Sequence, residues 1–174
     1  MQFTKDTFYL ALRDRLAALN PDRKVAVDGV ERPAVLVVEN EPANAAPPLP
    51  NAYYVRWGAP QIVAGSEARR PLMKLECRIA YCAAPALAGG VDRGRALAAL
   101  DSEILRLCTP PRTPKLDAAI APPALLDTFV FWGMPAFEET MVVPPFRPVL
   151  AEGGDFAGRA VKLTVFFFPE VEQA

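Results

Sequence analysis

Apolar residues recur at helical spacing through the opening segment. Phe8, Leu12, Leu16 and Leu19 share one face, while Lys5, Asp6, Arg13, Asp14 and Arg15 lie largely on the other. Thr4 is placed to cap this helix, and Asn20-Pro21 stops it. The period then changes to two. Lys24 to Val27 reads as a short strand, Asp28-Gly29 as a tight turn, and Ala34 to Glu39 as the returning strand, with Pro33 at its start. Tyr53 to Trp57 is a β-type run closed by Gly58. From Leu72 to Cys82 the alternation is strict. Met73, Leu75, Cys77, Ile79 and Tyr81 point one way, and Lys74, Glu76, Arg78 and Ala80 point the other. After Gly89-Gly90 the helical period returns from Val91 to Leu107, with Leu97, Leu100, Ile104 and Leu107 as the buried stripe and Asp92 as a cap. Thr128 to Trp132 predicts a strand, with Phe137 to Val143 paired to it. Ala160 to Phe168 predicts the final strand, with Val161, Leu163, Val165 and Phe167 facing inward.

This order predicts an α+β fold: a mainly antiparallel sheet with two helices packed on one face, because each helix has a single apolar stripe. The 174 residues fit one domain. Proline changes the picture between the elements. There are 19, about twice the ordinary share. They concentrate from Pro42 to Pro60 and from Pro110 to Pro148, which predicts stiff extended loops over about 41–52, 109–127 and 144–158.

Charge and chemistry mostly exclude. The net charge of −1 gives no overall field toward nucleic acid or an anionic membrane, so no sequence-specific nucleic-acid binding is expected. No window approaches the ~18 continuous apolar residues of a membrane span, and the first residues lack the pattern of a secretory signal. Three cysteines, an odd number, argue for a reducing compartment and synthesis in a cytoplasm. Cys77 and Cys82 fall on opposite faces of one strand, and all three read as small hydrophobes. The chain has no histidine, which removes the Ser-His and Cys-His pairs and most catalytic zinc sites. The run from Gly89 to Gly94 lacks the lysine and spacing of a phosphate loop. Glu138 and Glu139 are adjacent on one strand and diverge, and Asp101 and Glu103 do not share a helix face. Neither an enzyme nor a cofactor is expected.

The last strand ends apolar on both faces, at Val165, Phe166, Phe167 and Phe168. One face enters the core. The other is covered either by a proline-rich loop of the same chain or by a second subunit. The candidate interface residues are Phe129, Phe131, Trp132, Phe146, Phe166 and Phe168, with Pro47 and Pro48 on a stiff arm that loses little entropy on docking.

In element order the chain resembles the tail terminator family of long-tailed phages and related tail-like particles. The likeness lies in the opening amphipathic helix, the alternating strand MKLECRIAY, the helix after Val91-Asp92-Arg93 and the closing strands that end in FFFPE. The resemblance implies a virion structural subunit that forms a homo-oligomeric ring, a hexamer. Such a ring would cap the tail tube protein, stop its growth and offer a surface to a neck or connector protein. A neck, head-completion, tube or baseplate component is the alternative within structural proteins. A small-ligand binding module or an enzyme of unknown type is the alternative from another class.

Overall fold

The structure, a computed structural model, describes residues 1–27, 29–37, 49–64, 70–83, 90–109, 112–138 and 158–170. Helix α1 spans Gln2–Leu19 and buries Phe8, Leu12 and Leu16. Thr4 does not cap it. Met1 holds the N-cap position without a side-chain bond, and Thr4 lies one turn before Phe8 on the stripe that faces the core, fully buried. Strands β1 (Lys24–Val27) and β2 (Val30–Pro33) form a separate hairpin with Val27 opposite Val30. Gly29, with φ of 79°, supplies the left-handed residue that so tight a turn needs. The return strand thus begins at Val30 and ends at Pro33, earlier than the position of Pro33 suggests. The turn brings the chain back at once, and pairing starts where the turn ends.

The segment expected to return in that hairpin instead opens the main sheet. Strand β3 (Val35–Val37) runs parallel to β4 (Tyr53–Ala64), with Leu36 opposite Tyr54. Strand β4 does not stop at Gly58. It continues through an irregularity between Trp57 and Pro60, and a Cβ on Gly58 would sit 3.3 Å from the Glu76 Cβ of β5 (Leu72–Cys82). Glycine here marks a close approach of two strands, where a side chain would be tightly placed, and not the end of a strand.

Helix α2 spans Gly90–Leu107. Two further strands follow, β6 (Arg112–Asp117) and β7 (Ala124–Trp132), so the proline-rich stretch expected to be loop contains a strand. Strand β6 forms the edge of the described sheet, the place where proline removes no needed ladder bond. Strand β8 (Ala136–Phe137) pairs with β9 (Gly158–Phe167). Of the strand expected over Phe137–Val143 beside β7, Phe137 thus bonds β9 instead, and residues 139–143 lie outside the described residues. Among the described residues the main sheet has seven strands in the order β3-β4-β5-β9-β7-β6, with β8 beside β7 on the same edge of β9. Pairing is antiparallel apart from β3 with β4.

Both helices cover one face of this sheet. Phe8 of α1 meets Trp57 and Trp132 edge to face, at 5.4 and 5.0 Å. The Thr7 hydroxyl accepts the Leu116 N–H of β6 at 2.8 Å. From α2, the Leu100 carbonyl accepts the Tyr53 hydroxyl at 3.1 Å, and the Cys108 carbonyl just beyond the helix accepts Trp132 Nε1 at 2.8 Å. Arg15 of α1 donates to the Leu107 carbonyl, tying the helices end to end. Leu97, Leu100, Ile104 and Leu107 are buried, as their spacing predicts. The fold is α+β, with a mostly antiparallel curled sheet and two helices on its inner face.

Candidate interaction surface

The inner face is closed by the helices, so the chemistry open to a partner lies on the other face. Its residues follow from register. Arg56, Arg78 and Lys162 are opposite one another on β4, β5 and β9. Three cations side by side repel, and Glu138 from the end of β8 offsets them. Its carboxylate takes Arg78 at 2.7 and 2.8 Å and Lys162 at 3.1 Å. Burial works to raise the Glu138 carboxyl, but the hydrogen bonds from Lys162 and Arg78 outweigh it and hold it below its ordinary value.

Four residues along β5 and β9, the row changes character. Gln61, Lys74, Phe166, Phe131 and Arg112 are successive partners across five strands. Phe131 and Phe166 stack at 5.4 Å with their planes 12° apart. The Arg112 guanidinium lies 3.9 Å from the Phe129 ring centroid. Phe129 and Phe168 are more than a third exposed, at 39% and 37%. A cavity of about 640 Å³ opens here, lined by Arg112, Asp127, Thr128, Phe129, Phe131, Trp132 and Phe168.

Four of the aromatic residues predicted from the sequence therefore converge on one cavity, and Phe166 stacks at its margin. Trp132 differs from the rest. It is 3% exposed, its ring meets Phe8 and its indole N–H is held by the Cys108 carbonyl, so it belongs to the protomer's core. Neighbouring residues on a strand face opposite ways, and Phe131 takes the outer side. Phe146, Pro47 and Pro48 lie outside the described residues. Arg112 and Asp127 fall in the stretch whose prolines read as loop, and Thr128 opens a predicted strand without being singled out. For Arg112 the alternation in RTPKLD is the signal.

Behind the cavity, Lys115 of β6 is buried on the inner side. Its ammonium donates to the Phe168 carbonyl at 2.6 Å and pairs with Glu170 at 3.2 Å. Burial lowers its pKa to about 8. The end of β9 is thereby drawn under the sheet and away from β7. On the other side of the molecule, two tyrosines anchor α2 to the sheet through carboxylates. The Tyr53 hydroxyl donates to Glu103 at 2.9 Å, and Glu103 also pairs with Arg23. The Tyr81 hydroxyl donates to Asp101 at 2.5 Å, and Asp101 also pairs with Arg159. Burial and these acceptors raise both phenols above their ordinary range. These pairs hold α2 against the sheet. Cys77, Cys82 and Cys108 are buried, and burial pushes the Cys82 and Cys108 thiols up to about 11 and 12. Among the described residues no group of three or more His, Cys, Asp or Glu side chains is placed to hold a metal ion.

Compared with known proteins, the chain matches no protein-family model, and no curated protein matches it in sequence.

Proposed function

We propose that the protein is an assembly subunit, a tail terminator that forms a ring, caps a tail tube and joins it to a neck. The observation that carries the reading is the outer aromatic surface. Phe129 and Phe168 stand exposed beside the Phe131–Phe166 stack and an open cavity, on the face away from both helices. Exposed aromatic surface of this kind marks contact with other protein, since water is a poor neighbour for it. The resemblance in element order supports the particular choice of a terminator. In such a ring each copy would meet the next head to tail, and closure would limit the number of copies. Function would be geometric: one ring face binds the last tube ring, and the other denies the tube a copy of its growing end.

Light scattering and electron microscopy test this, on the chain alone and mixed with tail-tube protein. A closed ring, or tubes of fixed length capped by the chain, is the expected result. A lone monomer at tens of micromolar that leaves tube growth unchanged would overturn it. A small-ligand binding module would instead give a monomer whose cavity is filled by one compound.

A further inference from the structure

The cavity lies where two strands part. Strand β7 pairs with β9 only from Val130 to Trp132, opposite Phe167 to Val165. Beyond that point β9 leaves, drawn to Lys115 through the Phe168 carbonyl, and Pro169 has no N–H to offer. Residues Ala124 to Phe129 of β7 therefore have β6 on one side and no paired strand on the other among the described residues. The direction of their backbone groups follows from register. Gly133 donates to the carbonyl of Thr164, the residue directly opposite it, so odd-numbered residues bond toward β9. By the same alternation Leu125 and Phe129, opposite Leu116 and Pro114, aim their N–H and C=O groups into the gap. The three residues between them face Lys115 alone in a bulge, and the exposure pattern keeps Asp127 in phase with its two neighbours. Their side chains line the outer side of that edge. Leu125 is 70% exposed, Asp127 is exposed, and Phe129 borders the cavity.

We infer that this edge of β7 is a strand-addition site for an extended segment of a partner polypeptide. The segment would carry a basic residue opposite Asp127 and apolar residues opposite Leu125 and Phe129. Only an extended backbone offers donors and acceptors at the spacing of an open strand edge. The flanking apolar groups and the central carboxylate fix the order apolar, basic, apolar on alternate positions, by cross-strand pairing. The inference rests on reading this face as an interface, and it names the partner's chemistry.

Amide hydrogen exchange on the full chain, read by NMR, tests it. In the free chain the amides of Leu125, Asp127 and Phe129 should exchange roughly ten-fold or more faster than those of Val130 and Phe131. The peptide TVTRTLT, blocked at both ends, should slow those three and shift their resonances. A copy N-methylated on its bonding edge should not. Asp127→Pro removes an outward N–H and leaves the β6 ladder intact, so it should fold and lose the peptide. Asp127→Lys should prefer TVTETLT. Slow exchange at all three positions in a free monomer would overturn the inference, as would a peptide that shifts none of them. An assembled ring whose three amides stay fast overturns this site and leaves the ring reading standing. A ring in which they become slow makes a second copy the occupant. A monomer that binds the peptide keeps the site and sinks the ring.

Discussion

Phe8 meets two tryptophans from strands separated by two others in the sheet order, Trp57 on β4 and Trp132 on β7. One ring thus joins strands that share no ladder. Phe8→Ala should cost about 3–5 kcal/mol, the range for removing a buried aromatic ring, measured by urea unfolding. Lys115 acts in the other direction. Its folded pKa, about 8, lies below its unfolded one, so the unfolded chain binds more protons between about 8 and 10.4. For this group stability should therefore rise with pH across that window, and below it the full cost of burying the charge persists. The contacts with the Phe168 carbonyl and Glu170 oppose that cost by favouring the ammonium. Lys115→Met removes one partner only and leaves the Phe168 carbonyl without its donor, so it should cost about 1–3 kcal/mol at pH 7. It should also flatten the rise seen for the parent between pH 8 and 10. Unfolding midpoints at pH 7, 8.5 and 10 in both proteins decide it. A parent whose stability falls over that window would contradict the sign.

At the scale of elements, the close approach of β4 and β5 at Gly58 sets a sharp tolerance. Gly58→Val places its Cβ against Glu76 and should cost about 1–3 kcal/mol through strand displacement, read as a lowered urea midpoint. Gly58→Ser should cost less. The elements legible in the sequence were those with a clean period. Strand β5 alternates strictly, and both helices carry unbroken stripes. The failures have separate causes. Gly58 resembles a stop because local sequence does not show which strand will lie beside it. The prolines of β6 resemble a loop because edge position, which makes them tolerable, is a tertiary fact. The hairpin return falls too late because β2 occupies the four residues before the expected strand, while the expected strand holds β3, which joins the other sheet.

For the molecule as a whole, the outer face combines a cationic row restrained by Glu138 with an aromatic patch that no helix covers. The site was partly legible. A strand end apolar on both sides, Val165 to Phe168, signals surplus surface, and Phe129 and Phe131 lie on the face it opens. Trp132 adjoins Phe131 in sequence, but strand parity turns it inward. Phe129→Ser combined with Phe168→Ser should lower the mass of any assembly by light scattering. The protomer's melting temperature should stay within about 5 °C, since exposed substitutions change stability little. A fall of about 15 °C or more would mean that these rings serve the protomer itself.

The placement of β9 between β5 and β7 sets an order on synthesis. Cys82 finds its ladder partner in Gly158, and Met73 in Phe167, so the middle of the sheet stays vacant until a much later stretch leaves the ribosome. Until then Leu75, Cys77 and Ile79 sit on a strand with one naked edge, in a form prone to stick to other nascent chains. The protein should therefore depend on holding chaperones during translation, and any truncation that removes β9 should drive it into inclusion bodies instead of leaving a shorter soluble domain.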